Sequence, residues 1–361
     1  MPRVERRNGC TRITALVNEE PLWFESADIE LSPSPEAFAS ALLLVSQHRG
    51  QRLVIKAPVD DIWKKGIERV VAKWSEWWGY EPLLPVANVD TPRAPREASK
   101  RALSFSGGVD SFFSLLTAPK PDFLVTVHGF DIPLADTRRM AALERSLLAV
   151  ADKEGARPII IRTNLREHPA NGKRYLWERS HGGALAAIGL LLSSSIAQYF
   201  ISSTYSLARD RPWGSSVNTD PFFSSTDLEI VHFGTEPREE KVLGILSHPL
   251  ARSHLRVCWE NRKPEGNCSR CAKCLLVMLH LSEYGVLDEF DVFEGGMELA
   301  QRLDAVSYSS THIAVMERAV KRGRLAPDVS AATTRLIERS LAADKWYDRR
   351  KSISYWAARY V

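Results

Sequence analysis

The hexapeptide Ser106-Gly107-Gly108-Val109-Asp110-Ser111 combines residue types that bind phosphate. It follows an apolar run ending at Phe105 and precedes a segment with helical apolar spacing, which places it between a strand and a helix. N–H groups in the first turn of a helix have no internal partner, and the helix dipole adds about half a positive charge there. The glycines allow close backbone approach, the serines add hydroxyl donors, and Asp110 can hold a divalent cation beside the phosphates. The stretch therefore predicts a nucleotide-binding loop.

Four of the five cysteines fall within one short stretch, and their spacing suits a metal ion. Two Cys-x2-Cys steps bring thiolates from one tight turn to a tetrahedral ion, and a cysteine ten residues upstream completes the set. Structural zinc is the favoured occupant, with an iron–sulfur cluster and a redox role as alternatives. The predicted ligands are Cys258, Cys268, Cys271 and Cys274, whereas Cys10 is interpreted as an ordinary thiol.

The glycine-containing motif resembles the PP-loop, Ser-Gly-Gly-x-Asp-Ser, of the N-type ATP pyrophosphatases. Members of that superfamily cleave ATP between the α and β phosphates and adenylylate an oxygen of the substrate. The Walker A pattern of γ-phosphate chemistry is absent. Together with Cys-x9-Cys-x2-Cys-x2-Cys, the chain resembles the 7-cyano-7-deazaguanine synthase family and its QueC-like relatives, including those of bacterial defence systems. In that family a carboxylate is adenylylated, ammonia gives an amide, and a second activation gives a nitrile, while zinc is structural.

The resemblance covers about Arg101 to Glu283 and implies ATP, Mg²⁺ and Zn²⁺ as ligands. The residues of the motif stretch implied to bind ATP are Ser104, Ser106, Gly107, Gly108, Val109, Asp110 and Ser111, with Asp110 and Ser111 also catalytic. In PP-loop enzymes a downstream basic residue commonly meets the released pyrophosphate. Arg238 and Lys241, three residues apart and on one face if they lie on a helix, are the candidates. The chain extends well beyond the resemblance at both ends, and the residues that recognise the base are not placed, so the acceptor stays open.

Strands and helices alternate after the motif, which predicts a doubly wound, mostly parallel α/β sheet. The resemblance makes this an adenine nucleotide alpha hydrolase-like domain of the HUP type. Ligands of such sheets lie at the carboxyl ends of the strands. Polar residues at these ends are expected to contact adenine, ribose or substrate, and those assigned to the nucleotide are His128, Arg162 and Ser203.

Four regions are predicted along the chain. A small α+β domain covers residues 1–99 and includes a Pro- and Arg-containing linker at residues 90–96. The PP-loop domain covers residues 100–255 and the zinc segment residues 256–285. A helical, basic region covers residues 286–361.

Composition describes an ordinary globular chain, with 44% hydrophobic and 25% charged residues and a net charge of +4. No apolar run approaches the ~20 residues that span a bilayer, and no secretory signal is recognised, which predicts a cytoplasmic protein with no membrane partner. Residues 316–361 hold eleven Lys/Arg against five Asp/Glu. This basic end predicts either a solvated helix face or contact with RNA or a protein.

The sequence thus predicts an ATP-dependent carbon–nitrogen ligase that adenylylates a carboxylate, releases pyrophosphate and then AMP, and forms an amide or nitrile with ammonia. Its predicted partners are ATP and a carboxylate acceptor, either a small deazapurine acid or a group on a protein or tRNA; a homodimer is a further candidate. The alternatives are a tRNA-modifying enzyme of the thiolation or lysidine type and a nucleotide-binding regulatory module of a defence system.

Overall fold

The computed structural model describes residues 2–89, 98–171, 176–294, 298–306 and 313–357, without the side chains of residues 209 and 343–357. The predicted linker at residues 90–96 lies outside this part of the chain. The chain forms two compact units, Met1–Gly244 and Ile245–Val361.

The first unit is built on one sheet of eight strands, which are β1 (Arg3–Arg7), β2 (Cys10–Val17), β3 (Glu20–Ser26), β4 (Arg101–Ser104), β5 (Phe123–His128), β6 (Arg157–Thr163), β7 (Gln198–Ser202) and β8 (Glu229–Phe233). Their order is β1-β2-β3-β6-β5-β4-β7-β8. The five strands from β6 to β8 in this order are parallel, whereas β1, β2 and β3 are antiparallel to their neighbours. The chain passes from β4 to β5 and β6 on one side and then returns to β7 and β8 on the other. The α/β class and the mostly parallel sheet are as predicted.

Six helices accompany this sheet: α1 (Pro35–His48), α2 (Asp61–Trp78), α3 (Val109–Thr117), α4 (Thr137–Glu154), α5 (Trp177–Leu191) and α6 (Arg238–Ile245). The starts of α1 and α2 follow from the sequence. Ser34 Oγ accepts a hydrogen bond from the Ala37 N–H at 3.2 Å, and Asp60 Oδ1 accepts one from the Trp63 N–H at 3.0 Å. Such side chains replace the missing partners of the first helical turn.

Both faces of the parallel strands are buried. Ala102, Phe123 and Tyr199 belong to the large apolar core that also contains residues of α1, α2 and α5. The alternate residues Leu103 and Phe200 are also buried, and they face the opposite side of the sheet because side chains alternate along a strand. Burial on both faces is typical of parallel sheets and explains the near-continuous apolar sequences of these strands.

The N-terminal residues do not form a sheet of their own, in contrast to the predicted separate domain of residues 1–99. Strand β3 pairs with β6, with Glu25 opposite Arg162. Helix α1 packs on α5 so closely that a Cβ on Gly183 would lie 2.4 Å from Ser40 O. The predicted boundary at residue 99 therefore crosses one shared sheet and one shared core, and the division into units falls at Gly244 instead.

The described helices of the second unit are α7 (Pro249–His254), α8 (Ala272–Glu283), α9 (Leu299–Asp304), α10 (Ile313–Arg322) and α11 (Pro327–Ala357). Apolar residues of α8 to α11 form a core of their own, including Leu279, Leu303, Met316 and Leu336. The helical character predicted for residues 286–361 is thus present. Across the described residues, no helix combines the length and the apolarity needed to cross a membrane.

Candidate functional site

A glycine loop, residues 105–108, joins the end of β4 to the start of α3. Gly107 has a φ of +73°, a conformation that a side chain disfavours, and Gly108 is the extended residue before the helix. No side chain caps the helix start at Gly108. The first-turn N–H groups of α3 therefore have no intrahelical or capping partner, which is the arrangement that binds anions.

Neighbouring groups hold the loop in place. The Phe105 N–H donates to Val125 O at 2.8 Å, and Thr126 Oγ1 donates to Phe105 O at 2.6 Å. At the other end, Ser111 Oγ donates to Gly108 O at 3.0 Å. Ser111 is buried, so in this structure its hydroxyl closes the turn.

Asp110 is the centre of a charged cluster beside the loop. Its Oδ1 lies 3.0 Å from Lys241 Nζ, and its Oδ2 lies 3.1 Å from an Arg238 Nη atom. Both cations lie on α6, three residues apart, so the sequence expectation that they share one helix face agrees with the geometry. The structure brings these two candidates together with the candidate acid, although 131 residues separate Lys241 from Asp110.

Lys241 is a buried cation. Only 1% of its surface is exposed, and its Nζ also donates to the main-chain carbonyl of Ser203 at the end of β7. Burial lowers the pKa of Lys241, while the nearby carboxylates of Asp110 and Glu236 act in the opposite direction. The Asp110 side chain, by contrast, is 22% exposed, so solvent reaches the carboxylate side of the pair.

The cluster lies at the point in the sheet where the order of strand addition reverses. Strand β4 has β5 on one side and β7 on the other, and the chain leaves β4 and β7 towards opposite edges. Ligands of open α/β sheets bind outside the carboxyl ends of the strands at this switch point. The glycine loop follows β4 and Ser203 follows β7. Lys241 therefore contacts residues on both sides of the switch point, Asp110 after β4 and Ser203 after β7.

The other predicted nucleotide residues have different surroundings. His128 is buried, its Nε2 is 2.9 Å from Pro133 O, and burial lowers its pKa. Arg162 lies on β6, two strands away from β4, and forms an ion pair with Glu25 at 2.8 Å. These contacts occupy both groups, so the structure does not bring them to the Asp110 cluster.

Four further predicted residues remain: Ser104, Ser106 and Val109 lie in or beside the loop in the chain, and Ser203 follows β7. Ser104 is the last residue of β4, and Val109 is the buried first residue of α3. Ser203 Oγ donates to Tyr205 O at 2.7 Å, so the Ser203 hydroxyl is engaged and its carbonyl carries the contact with Lys241. Ser106 Oγ accepts from the Gly108 N–H at 3.4 Å.

A buried network in the segment after β7 was not found from the sequence. The carboxylate of Asp220 is fully buried, 2.9 Å from His232 Nδ1, and accepts hydrogen bonds from Ser215 Oγ and the Ser216 N–H. This network fastens the segment at residues 210–227 to β8. The sequence shows a long polar stretch, but nothing in its spacing pairs Asp220 with His232.

The four cysteines cluster as predicted. All are buried, and their sulfur atoms lie within 4.8 Å of one another, with 3.4 Å between Cys271 and Cys274 and 3.9 Å between Cys268 and Cys274. Four sulfurs about 2.3 Å from a central zinc ion would be about 3.8 Å apart, so the donor set fits a tetrahedral ion. The hydrogen bond between Cys271 and Cys274 lowers the pKa of Cys271 and raises the pKa of Cys274, as expected when two adjacent thiols share a proton.

Asn267 positions the distant ligand of this centre. Its Oδ1 accepts hydrogen bonds from the N–H groups of Val257, at 2.8 Å, and Cys258, at 3.1 Å, and its Nδ2 donates to Leu255 O. A single side chain thus holds the segment that carries Cys258 against the Cys-x2-Cys turns. No spacing or motif in the sequence indicates this role.

Much of the positive charge described at the C-terminal end is paired. Arg335 and Arg339 both contact Asp304, and Arg322 contacts Glu283. Among the described basic residues of this region, Lys321 and Arg324 are exposed and have no ion pair with a described carboxylate.

Comparisons with known proteins found no match, so a proposal about function depends on the residues described above. No family model matches the chain, and neither the curated proteins nor the solved structures compared with it gave a match.

Proposed function

We propose that this chain is an ATP-dependent ligase of the PP-loop type, which adenylylates a carboxylate and replaces the AMP with ammonia nitrogen. The observation that carries the proposal is the charged cluster at the glycine loop, where Asp110 meets Lys241 and Arg238 beside the start of α3. Phosphate binding needs N–H donors and cations in one place, and both are present here.

The residues divide into three roles. The N–H groups at the start of α3 bind phosphate oxygens, and Gly107 and Gly108 let the phosphates approach. Arg238 and Lys241 neutralise the charge that develops on the leaving pyrophosphate. Asp110 is a suitable oxygen ligand for Mg²⁺, an ion that neutralises phosphate charge when bound.

The proposed reaction begins when a carboxylate oxygen of the acceptor attacks the α-phosphorus of ATP. The bond from that phosphorus to the oxygen bridging to the β-phosphate breaks, and pyrophosphate leaves. Ammonia then attacks the acyl carbon, loses a proton, and AMP departs with the carboxylate oxygen to give an amide. A second activation of the amide oxygen, followed by loss of AMP and protons, gives a nitrile.

The test is product analysis with ATP labelled at the α-phosphate, Mg²⁺, ammonium and 7-carboxy-7-deazaguanine. AMP and an amide or nitrile detected by mass spectrometry would support the proposal. Asp110→Asn should lower AMP formation at least ~100-fold, the scale of one lost charge-stabilising contact. Asp61→Asn is the matched control, because Asp61 also lies in a first helical turn and pairs with a lysine, Lys65, on the surface.

Three other results would contradict parts of the proposal. ATP binding without AMP, with this acid and with cell extract, would favour the regulatory module. AMP that appears only when RNA is added would favour the tRNA-modifying alternative. Equal AMP formation by the wild type and by Asp110→Asn would remove the site assignment.

We also propose that the cysteine centre holds structural zinc. The chemistry of the donor set supports this, since four buried thiols converge at distances suited to a tetrahedral ion. Elemental analysis should find one zinc per chain, with the zinc lost in Cys274→Ser and kept in Cys10→Ser. A brown protein that contains iron and sulfide in place of zinc would establish the iron–sulfur alternative.

A further inference from the structure

A row of aromatic side chains lies at the sheet edge that carries the glycine loop. The ring centroids of Trp177 and His181 are 6.0 Å apart, and those of His181 and Trp213 are 5.6 Å apart. Tyr205 continues the row, with its ring centroid 5.6 Å from that of Trp213. These residues lie on segments that follow β6 and β7, whose carboxyl ends share an edge with that of β4.

An exposed arginine lies over a ring at each end of this row. The guanidinium carbon of Arg166 is 4.8 Å from the centroid of a Trp177 ring, and that of Arg211 is 4.4 Å from the centroid of Tyr205. Both arginines are exposed to solvent. Because a guanidinium is planar, one that covers a ring can still stack a nucleobase on its outer face and donate to phosphate from its edge.

The charge of these two arginines is not neutralised by a carboxylate within the described part of the chain. Arg166 donates to a main-chain carbonyl, and Arg211 donates to a tyrosine hydroxyl. The adjacent carboxylate of Asp210 is engaged by Ser216 and Asn218. Two cations at the ends of an aromatic row therefore face solvent without a partner anion.

The segment that carries Arg211 and Trp213 is held rigidly. The Gly182 N–H donates to Gly214 O at 3.0 Å, and the Gly214 N–H donates to Glu178 O at 2.9 Å. A Cβ on Gly182 would lie 2.1 Å from Gly214 O, so the two segments touch through their main chains. Asp220 fixes the same segment from the other end. A preformed surface of this kind loses little conformational entropy when a ligand binds.

We infer that this row, from Arg166 to Arg211, binds single-stranded nucleic acid, with one base stacked at each arginine and the intervening phosphates on the guanidinium edges. Aromatic rings combined with cations are the chemistry that holds unpaired bases with little sequence preference. A single mononucleotide would use one arginine–ring pair, whereas the two separate pairs fit a strand of several nucleotides. The inference goes beyond the proposed function and does not depend on adenylylation.

The test is fluorescence anisotropy of labelled single-stranded octamers of RNA and of DNA with the full-length protein, without ATP, at low and moderate salt. Arg166→Ala and Arg211→Ala should each weaken binding about tenfold, the order expected for one lost base-stacking contact. Arg211→Lys should keep the salt dependence and still lose most of the affinity, because lysine retains the charge without the planar face. Arg324→Ala is the matched control, since Arg324 is an exposed arginine over the Tyr284 ring, 5.4 Å from its centroid, in the other unit.

Several results would overturn the inference. These are absence of octamer binding by the wild type, equal losses in Arg211→Ala and Arg324→Ala, equal competition by a mononucleotide, or displacement by an acidic peptide but not by an unlabelled octamer. Comparison of the RNA and DNA octamers identifies which of the two nucleic acids the protein binds more tightly. Because no ATP is present, failure of this test leaves AMP formation unaffected, and the two proposals fail separately.

Discussion

The carboxylates of Asp110 and Glu283 each meet two basic side chains, and their surroundings differ. Asp110 contacts Lys241 and Arg238 at the end of a glycine loop and is 22% exposed. Glu283 contacts His280 and Arg322 between α8 and α10, and its side chain is fully buried. The first cluster is open to a ligand on its carboxylate side, whereas the second is closed around its carboxylate, with only Arg322 reaching solvent, and serves the packing of the second unit.

The closed cluster has the stronger internal bonding. Burial alone would raise the pKa of Glu283, but hydrogen bonds from His280 and Arg322 outweigh it and lower the pKa to about 2. The Arg322 Nε and an Nη atom donate to the two carboxylate oxygens at 2.7 and 2.8 Å. A buried carboxylate with both oxygens hydrogen-bonded favours structure, and a partly exposed cation–carboxylate group beside unpaired N–H groups favours ligand exchange.

Removal of the proposed zinc ion should give the largest effect on the second unit. Structural zinc in small peptides contributes about 10–16 kcal/mol of apparent binding free energy, which is also folding free energy. A strong chelator should therefore abolish hydrogen-exchange protection in α8, while protection in β4 and β7 is kept. Mass spectrometry of exchanged peptides measures both, and α8 peptides that stay protected after the metal is lost would contradict a structural role.

Glu283→Gln should give the next largest effect. It removes the charge that Arg322 faces, and breaking a buried ion pair costs about 3–5 kcal/mol. Urea unfolding measures the change. Asp304→Asn is the control, because the Asp304 pair with Arg335 is on the surface, where solvent screens it, and should contribute little to stability.

The same residue predicts a pH dependence of the unfolding free energy. The folded pKa of Glu283, about 2, lies below its ordinary value of 4.5, so its stabilisation is present above pH 4.5 and is lost as the pH falls towards 2. At about 1.4 kcal/mol per pKa unit, the loss is about 3 kcal/mol. The difference between the wild type and Glu283→Gln should shrink across this range; a difference that is constant with pH would exclude the ion pair as its source.

Asp110→Asn should destabilise the protein less than Glu283→Gln, by about 1–2 kcal/mol, because the cluster is partly solvated and Lys241 keeps its bond to Ser203 O. Its loss of AMP formation should nevertheless be large. Urea unfolding of this variant beside Glu283→Gln tests the comparison directly. A destabilisation equal to that of Glu283→Gln would show that both clusters are structural.

Features set by local sequence could be predicted. The glycine loop lies between a strand and a helix because Gly107, Gly108 and the apolar runs around them are adjacent in the chain. The cysteine cluster was predicted for the same reason. The placement of Arg238 and Lys241 on one helix face followed from their spacing, but their meeting with Asp110 required the fold.

Contacts between distant residues could not be predicted. Asp220 and His232 are 12 residues apart, and Glu283 and Arg322 are 39 apart, with no periodic pattern that relates them. The pairing of β3 with β6 could not be predicted either. The sequence of a hairpin indicates its own turn, but it does not indicate which distant strand pairs with the free edge of the hairpin. For this reason the sequence predicted a separate N-terminal domain where the structure has one sheet.

The pairing of β3 with β6 also bears on how the chain is made. Glu25 on β3 and Arg162 on β6 are 137 residues apart in the chain. During synthesis β3 is therefore made long before β6, the strand with which it pairs. Until β3 and β6 have paired, each presents unpaired N–H and C=O groups along one edge, a ready template for strands of other molecules. The three N-terminal strands thus extend the sheet and also protect the edge of β6 from aggregation. A chain shortened by its first 26 residues would leave the edge of β6 unpaired.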